Sequence, residues 1–276
     1  MLIKSRSDIK KIKTSGRLLG KILAQLAPLC QPGVSTGEID QAAERLIQAA
    51  LGRPAFKGYQ THVADRPFPA TICASRNEEL VHGIPGKEVK LKTGDILSLD
   101  IGMEWPAPPP GKKISRTKNN SGVFTDTALT IPIGAVPVET EKLMGVTRQA
   151  LTEGIRAAQP GKSIAAIGRA IETYVKAQGR YGIVRDLVGH GVGHKLHEEP
   201  YIPNYYDKAL ESVILKPGMV VAIEPMISLG DWRVETLPDG WTIKMADNSL
   251  CAHFEHTVII TERGNIVATR RPGELA

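Results

Sequence analysis

Lys92-Thr93-Gly94-Asp95-Ile96-Leu97-Ser98-Leu99-Asp100 is a turn followed by an apolar run that ends in a carboxylate. The same arrangement returns as Lys216-Pro217-Gly218-Met219-Val220-Val221-Ala222-Ile223-Glu224. A short apolar run bounded by turn residues is typical of a buried strand. Asp100 and Glu224 therefore stand at matching points, each at the end of a predicted strand, in the first and second half of the chain.

Two further segments recur in the same order. Pro32-Gly33-Val34-Ser35-Thr36-Gly37-Glu38-Ile39 matches Pro160-Gly161-Lys162-Ser163-Ile164-Ala165-Ala166-Ile167, and Phe124-Thr125-Asp126-Thr127 has a looser counterpart in Phe254-Glu255-His256-Thr257. Three matches in order are hard to obtain by chance. We predict two related α/β halves, about residues 1–135 and 136–276, packed about a pseudo-twofold axis in a single domain of residues 1–276.

Helices precede the strands in each half. Apolar residues at helical intervals predict a helix over residues 5–27, and Ser35 with Glu38 forms the pattern of a capping box that opens a second helix. In the second half we predict a helix over 139–158 and another that runs from a Ser163 cap to Gln178. Strands are predicted over residues 71–74, 96–101, 123–131, 219–223, 241–244, 254–260 and 266–269.

The composition is that of an ordinary soluble enzyme, with 276 residues, 42% apolar and 23% charged. No apolar run approaches the roughly 18 residues that a membrane helix needs, and the charged N-terminus lacks the apolar core of a secretory signal. Three widely spaced cysteines suit a reducing cytosol. We therefore predict a cytoplasmic protein without membrane or DNA partners, and a net charge of +6 that allows only weak attraction to nucleic acid.

Four acids lie in or at the end of apolar strand patterns: Asp100, Asp126, Glu224 and Glu255. Burying a carboxylate costs several kcal/mol, roughly, unless it is paired or binds a cation. One such acid alone would more simply face solvent or pair with a lysine. Four of them with a histidine match the oxygen-rich ligands of a two-metal hydrolase.

The candidate histidine lies in Gly189-His190-Gly191-Val192-Gly193-His194-Lys195-Leu196-His197-Glu198-Glu199-Pro200. His190 and His194 have the spacing of a helical metal pair, but the glycines between and beside them make a helix unfavourable. We predict an irregular loop whose metal partners lie elsewhere in the chain. A glycine-rich loop with surface histidines is the alternative.

The chain resembles the type I methionine aminopeptidases along nearly its whole length. Their pattern is specific in order and spacing, and it is found here in residues 77–85, Leu99-Asp100-Ile101-Gly102, Asp126-Thr127-Ala128, residues 189–193, His197-Glu198-Glu199-Pro200, Ile223-Glu224-Pro225-Met226 and Phe254-Glu255-His256-Thr257. The resemblance implies the α+β pita-bread fold and removal of the initiator methionine from nascent polypeptides whose second residue is small.

The resemblance also implies a site for two divalent cations, of which Co, Mn, Fe, Ni and Zn all suit such ligands. Asp100 would hold one ion and His190 and Glu224 the other, with Asp126 and Glu255 bridging both. Glu224 would also accept the proton of the attacking water. His197 would stabilise the oxyanion, and His82 would lie beside the scissile amide.

The same resemblance implies an apolar methionine pocket with walls from Phe68, Cys73, Leu196 and Trp241, although each could be ordinary core. A nucleophilic role for Cys73 is disfavoured once metals are present. The remaining histidines, His62, His194, His253 and His256, are expected to be solvated and without a role. A monovalent cation near the backbone of Asn77 and Cys251, and a monomeric state, are further expectations of the family.

The sequence departs from the family between the two aspartates. Residues 104–122 form an extended Pro- and Lys-rich insertion, which we predict to be an exposed loop. Its basic residues Lys112, Lys113, Arg116 and Lys118 could touch ribosomal RNA, although a solvated loop is the simpler interpretation. Thr125 replaces a common glycine before Asp126, and Asp65 replaces an aromatic residue at the pocket rim.

Two other functions remain open at this stage. One is a proline-specific aminopeptidase or dipeptidase of the same fold, a group that generally carries a large N-terminal domain. The other is a catalytically inactive module that binds RNA or protein, which would not need to keep all five metal ligands. The type II enzymes have a long insertion in the second half that this sequence lacks, and no N-terminal zinc-finger cysteine pattern is present.

Overall fold

The computed structural model describes residues 2–60, 66–111 and 122–274, so His62, Asp65 and the four basic residues of the insertion lie outside the described residues. Four α-helices lie in this part of the chain: α1 (Arg6–Leu26), α2 (Thr36–Ala49), α3 (Val138–Ala157) and α4 (Ala165–Gln178). They confirm the four predicted helices. No helix among the described residues combines the length and apolar character needed to cross a membrane.

The helix starts follow local hydrogen-bonding chemistry. Ser5 caps α1 in a reciprocal capping box with Asp8, and Ser35 caps α2 in the same way with Glu38. The predicted Ser163 cap is wrong, because α4 begins at Ala165 without a side-chain cap. Ser163 has no acid three residues later to complete a box, and it forms an isolated bridge with Ile214 instead.

Fifteen strands are present in the described part of the chain: β1 (Arg53–Pro54), β2 (Ile72–Arg76), β3 (Glu79–Val81), β4 (Ile96–Trp105), β5 (Val123–Pro132), β6 (Gly182–Ile183), β7 (Gly189–Gly191), β8 (Glu198–Ile202), β9 (Val220–Ile223), β10 (Met226–Ser228), β11 (Val234–Thr236), β12 (Ile243–Met245), β13 (Cys251–His253), β14 (His256–Thr261) and β15 (Gly264–Val267). All of the pairings between them are antiparallel.

Two sheets carry the site. In the first half, β4 pairs with β5 along its whole length and with β2 and β1 on its other side. In the second half, the order is β15-β14-β9-β7-β8. Apolar side chains of α1 and α2 pack on the first sheet, and those of α3 and α4 pack on the second, which leaves the opposite faces free to build a cavity.

The two halves repeat the same backbone hydrogen bonds. The Gly94 N–H donates to the carbonyl of Ile133 at 2.9 Å, and the Gly218 N–H donates to the carbonyl of Ile260 at the same distance. The bridge between Ser35 and Lys90 has its counterpart in the bridge between Ser163 and Ile214. The internal repeat predicted from the sequence is therefore present in the backbone as well.

The strand register corrects one of the repeat's alignments. Gly102 faces Asp126 in the first half, and Met226, at the corresponding point of the second half, faces His253. The structural counterpart of Asp126 is therefore His253, whereas the looser sequence match had aligned Asp126 with Glu255.

Several predicted strand ends also move. Asp100 lies inside β4, which continues to Trp105, because the first two residues of the expected insertion still pair with β5. Glu255 lies just before β14 and not within it. Regular pairing of Trp105 with Val123 and of Met103 with Thr125 keeps Asp126 in register across the insertion, and the Thr125 hydroxyl is hydrogen-bonded to Ser15 at 2.7 Å.

The two halves meet where β5 runs beside β13 and the start of β14, and we call this contact the threonine seam (Asp126, Thr127 and Thr130 against His253, Glu255 and Thr257). Thr127 Oγ1 donates to the Glu255 carbonyl at 2.7 Å, and Thr130 Oγ1 donates to the His253 carbonyl at 3.0 Å. Thr257 Oγ1 accepts from the Asp126 N–H at 3.1 Å and donates to the Asp126 carbonyl at 2.9 Å. Side-chain hydroxyls thus replace strand pairing at the seam.

The N-terminal segment anchors the loop between β7 and β8. Lys4 Nζ lies 2.6 Å from Glu198 Oε2, and the two side chains are only 1% and 9% exposed. Gly193 has φ +141°, and a Cβ there would collide with the Lys4 side chain. His194 Nε2 lies 3.1 Å from Asp8 Oδ2 in the first turn of α1. The prediction that His194 is solvated is therefore wrong.

Replacing Lys4 by methionine tests this anchor. The change leaves the Glu198 carboxylate buried without its cation, which costs about 3–5 kcal/mol for a buried pair. We expect Lys4→Met to lower the free energy of unfolding in urea by that amount, whereas Lys10→Met, at an exposed position on α1, changes it by less than about 0.5 kcal/mol. A loss no larger than in the Lys10 variant would show that the pair does not hold the loop.

Candidate metal centre

Three side chains from different elements converge at the threonine seam. Asp126 lies on β5, His190 on β7 and Glu255 just before β14, and one ligand atom from each lies within 4.8 Å of the others. All three side chains are buried. The predicted irregular loop is thus wrong for His190, which is held in a short strand by the pairing of Gly189 and Gly191 with β8.

The other two predicted ligands border the same space. Glu224 Oε1 lies 3.6 Å from His190 Nε2, and Asp126 Oδ2 lies 3.4 Å from that nitrogen. Asp100 lines the same cavity, and its Oδ1 is buried without a hydrogen bond to any described residue. The structure therefore brings together Asp100, Asp126, His190, Glu224 and Glu255, which are distant in the sequence.

These acids are under electrostatic tension. Burial, with repulsion from the neighbouring carboxylates, raises the pKa of Asp100 and of Glu224 to about 8. Burial also raises the pKa of Asp126, and it raises that of Glu255 well above the ordinary range. A cation among them would reverse this effect, because it stabilises the charged form of every carboxylate around it.

The residues fit a divalent metal. Four carboxylates and one imidazole form an oxygen-rich donor set with a single nitrogen, which suits hard and borderline divalent ions. The buried Asp100 Oδ1 without a hydrogen bond is the kind of acceptor that a cation would satisfy. No lysine or arginine among the described residues forms an ion pair with any of the four acids, so the alternative of lysine pairing is not supported in this part of the chain.

An apolar pocket leads away from the acids. The cavity has a volume of about 200 Å³, and its walls include Phe68, Cys73, Leu196 and Trp241. The rings of Phe68 and Trp241 meet edge to face with centroids 5.2 Å apart, and the Trp241 Nε1–H donates to the Arg66 carbonyl at 3.0 Å. Burial raises the pKa of Cys73 well above its ordinary value, so this thiol is protonated and forms part of the wall.

Two further histidines border the cavity from different sides. His82 has φ +58°, a rare conformation for a residue with a side chain, and burial lowers its pKa to about 4, so its imidazole is neutral. His197 lies with its ring centroid 4.4 Å from that of His190. The Tyr59 hydroxyl is hydrogen-bonded to Nδ1 of His197 at 2.7 Å, which fixes the orientation of the imidazole.

Sequence reasoning missed Tyr59 and His253. Tyr59 lies in a Gly- and Pro-rich segment without periodicity, and no sequence signal placed its hydroxyl beside His197. His253 was expected to be solvated, but it is 1% exposed and its Nε2 lies 3.2 Å from Glu224 Oε2. No local sequence signal placed it there, because the strand that ends at His253 is separated from the next one by Phe254 and Glu255.

The expectation for His256 is wrong as well. Its ring is buried on the other side of the strand, where Nδ1 is hydrogen-bonded to Thr269 Oγ1 at 3.0 Å and Nε2 lies 3.2 Å from the Arg271 guanidinium. Arg271 also donates to Thr127 Oγ1 and to the Ala128 carbonyl, each at 3.1 Å. This cluster ties the C-terminal segment to the back of the threonine seam.

Comparison with known proteins agrees with this geometry. The model of metallopeptidase family M24 matches residues 10–262, which include all five candidate ligands. The chain belongs to metallopeptidase family M24. Members of this family are hydrolases that bind divalent metal, and the structure holds a buried group of Asp126, His190 and Glu255 that could hold an ion.

Within M24 the chain is similar to proteins named methionine aminopeptidase. The chain is 42% identical over 270 residues to methionine aminopeptidase 1 of Bacillus subtilis, covering 98% of this chain and 99% of that protein. It is 35% identical to the methionine aminopeptidase of Escherichia coli, over 98% and 94% of the two chains. The crystal structure of methionine aminopeptidase from Thermotoga maritima superimposes with a TM-score of 0.87 at 37% identity, covering 98% of this chain and all of that one.

More distant M24 structures share the fold alone. The prolidase from Pyrococcus horikoshii superimposes with a TM-score of 0.72 at 21% identity, and the match covers all of this chain but only 65% of the prolidase. The neighbours of both groups have the pita-bread fold, and this chain shares its mixture of helices and antiparallel sheets. The predicted pita-bread fold is therefore confirmed.

The raised pKa values predict an unusual pH dependence of stability. A carboxyl whose pKa is higher in the folded state stabilises that state below the ordinary pKa of about 4, and this contribution is lost as pH rises through the folded value of about 8. In urea unfolding, metal-free protein should lose more stability from about pH 6 to pH 8.5 than metal-free Asp100→Asn/Glu224→Gln protein does.

Adding Mn²⁺ supplies the control for this experiment, because a cation favours the ionised acids. The metal-bound protein should therefore not lose stability over the same pH range. Equal pH dependence of the wild-type and doubly substituted proteins without metal would contradict the predicted tension among the acids.

Proposed function

We propose that this protein removes the N-terminal methionine from polypeptides whose second residue is small. The observation that carries the proposal is the cavity itself, in which a narrow apolar pocket ends at a cluster of four acids and His190. Such a pocket suits an unbranched thioether side chain. The family membership and the methionine aminopeptidase names of the similar proteins support the same substrate.

The five clustered residues would hold two divalent ions. Asp100 would ligate one, His190 and Glu224 the other, and Asp126 and Glu255 would bridge both. When bound, such ions polarise the scissile carbonyl and bring the pKa of water to near neutrality. Co, Mn, Fe, Ni and Zn all suit this donor set. A monovalent cation beside Asn77, whose carbonyl accepts from the Cys251 N–H at 3.1 Å, stays a prediction.

The chain's own side chains would then handle the proton and the developing charge. Glu224 would accept a proton from the attacking water, since its carboxylate borders the cavity beside His190. His197, held by Tyr59, would donate a hydrogen bond to the oxyanion of the tetrahedral intermediate. Neutral His82 would contact the scissile amide from the other side of the cavity.

The same arrangement accounts for removal of a single residue. The free α-amine of the substrate would bind beside a metal held by the acids that line the cavity. A residue inside a longer chain has no free α-amine to bind there. The site would therefore act as an exopeptidase and not cleave within a chain.

An activity assay with two peptide classes tests the proposal. The metal-free protein, and the protein with added Co²⁺ or Mn²⁺, should be assayed on Met-Gly-Ser and on Ala-Pro-Gly. We expect metal-dependent release of methionine, a rate at least about 100-fold lower for Glu224→Ala because it loses the proton acceptor, and no change for Glu235→Ala, which alters an exposed strand. Preferential cleavage of the Xaa-Pro peptide would favour the proline-specific alternative. Inactivity on both peptides would refute the proposed aminopeptidase activity.

We further propose that the protein works as a cytoplasmic monomer and meets nascent chains at the ribosome. The ribosome contact is supported by a row of exposed basic side chains at helical spacing on one side of α1. None of them forms an ion pair with a described carboxylate: Arg6, Lys10, Lys13, Arg17 and Lys21. A row of cations about 6 Å apart along a helix can follow a phosphate backbone. The basic residues of the insertion lie outside the described residues, and their contact with ribosomal RNA stays a prediction.

Charge reversal tests the ribosome contact. Lys10→Glu/Lys13→Glu/Arg17→Glu protein should sediment less with ribosomes than wild type at low salt, and the wild-type association should weaken steeply as salt is raised. Cleavage of Met-Gly-Ser should be unchanged, because these residues lie outside the cavity. Equal sedimentation of both proteins would exclude this face of α1.

A further inference from the structure

His253 is a buried imidazole with no place in the five-residue ligand set. It ends β13, two residues before Glu255, and is 1% exposed. By register it is the counterpart of Asp126, since Met226 faces it as Gly102 faces Asp126. The pseudo-twofold repeat therefore directs its side chain toward the same central space as the metal-ligand candidates, from the second half of the molecule.

The backbone of His253 is held rigidly at the threonine seam. Its N–H donates to Thr130 Oγ1 at 2.9 Å, and its carbonyl accepts from the same hydroxyl at 3.0 Å. Thr130 is itself hydrogen-bonded to Ser98 at 2.9 Å, which ties the arrangement to β4. The position of the ring is thus set by the seam, and only rotation about its own side-chain bonds is left.

The ring faces carboxylates. His253 Nε2 lies 3.2 Å from Glu224 Oε2. In the present tilt of the ring, neither nitrogen has an aligned hydrogen bond to a described residue. A buried polar group without a partner is destabilising, so rotation of the ring toward the nearest acceptor is favoured.

Glu224 offers two separate oxygens to two imidazoles. Oε1 is the oxygen nearer His190, at 3.6 Å from Nε2, and Oε2 is the oxygen nearer His253. The Glu224 backbone is fixed as well, because its carbonyl accepts from Asn204 Nδ2 at 3.0 Å. With the backbone fixed, the side-chain torsions of Glu224 still leave its carboxylate free to turn. A hydrogen bond to Oε2 would stop this rotation and keep Oε1 directed at the site.

We propose that His253 is a positioning residue for Glu224, whose Oε2 it holds by a hydrogen bond from Nε2–H so that Oε1 faces the metal and the water proton. This inference rests on the proposed function. The tautomer with a proton on Nε2 is the one that makes this hydrogen bond. Partners that hydrogen-bond to metal ligands typically change metal affinity by about 10–100-fold when they are removed.

Two substitutions separate this role from simple packing. In His253→Gln the amide nitrogen lies near the former Nε2 and still donates, whereas His253→Leu fills similar space without a donor. Binding of Mn²⁺ to the metal-free proteins is measured by titration calorimetry. We expect a dissociation constant about 10–100-fold higher for the leucine variant and within about 3-fold of wild type for the glutamine variant.

Steady-state kinetics on Met-Gly-Ser at saturating Mn²⁺ give the second readout. The leucine variant should lose kcat, because Glu224 is misoriented as proton acceptor, while KM changes by less than about 3-fold. The glutamine variant should recover most of kcat. A leucine variant with wild-type metal affinity and kcat would overturn the proposal, and so would a glutamine variant as defective as leucine, which would indicate that the imidazole itself is a ligand.

Nitrogen NMR of the wild-type protein tests the tautomer of His253 directly. In ¹⁵N-histidine-labelled wild type, the nitrogen shifts of His253, assigned from their loss in His253→Gln, should show the Nε2–H tautomer. The Nδ1–H tautomer would overturn the proposal even if the leucine variant did not fold. Wild-type protein that binds Mn²⁺ but cleaves neither peptide would refute the proposed function, whereas the calorimetric comparison would still decide the role of His253.

Discussion

The threonine seam is the contact on which the rest of the site depends. Two antiparallel segments, one from each half of the chain, lie side by side here and are joined largely through the hydroxyls of Thr127, Thr130 and Thr257. A hydroxyl both donates and accepts, so each threonine satisfies backbone groups that a continuous strand ladder would otherwise have to pair. The seam can therefore place carboxylates from both halves opposite one another in the interior.

That placement carries an electrostatic cost which the fold must offset. Burial raises the pKa of all four acids, and neighbouring carboxylates raise those of Asp100, Glu224 and Glu255 further, while the surrounding packing of both halves keeps the acids together. Strain of this kind is expected at functional sites, where the stability of the free protein is given up for affinity toward a cation. The mutual repulsion among these acids is therefore what a metal-binding site of a metallopeptidase would show without its cation.

The imidazoles of His190 and His197 are positioned by residues that are distant in the sequence. His190 is held in a short strand, but the loop that follows it is anchored by the buried Lys4–Glu198 pair and by Asp8, so the first residues of the chain reach the site. Tyr59 orients His197 from the opposite wall. These contacts join residues more than a hundred positions apart, and each depends on the relative placement of the two halves.

The sequence by itself determined the helices, the repeat, the family and the set of chemically active residues, because periodicity, capping boxes and ordered motifs are local properties. The positions of Asp100, Asp126, His190, Glu224 and Glu255 were predicted in this way, and the structure brings all five to one cavity. Only the tertiary structure decided the register of the second half, which makes His253 and not Glu255 the counterpart of Asp126. It alone also showed that His253 faces Glu224, that His194 pairs with Asp8, and that Tyr59 reaches His197. The physical reason is that such contacts depend on a strand register and a packing geometry to which both halves contribute, and no local pattern of residues encodes either.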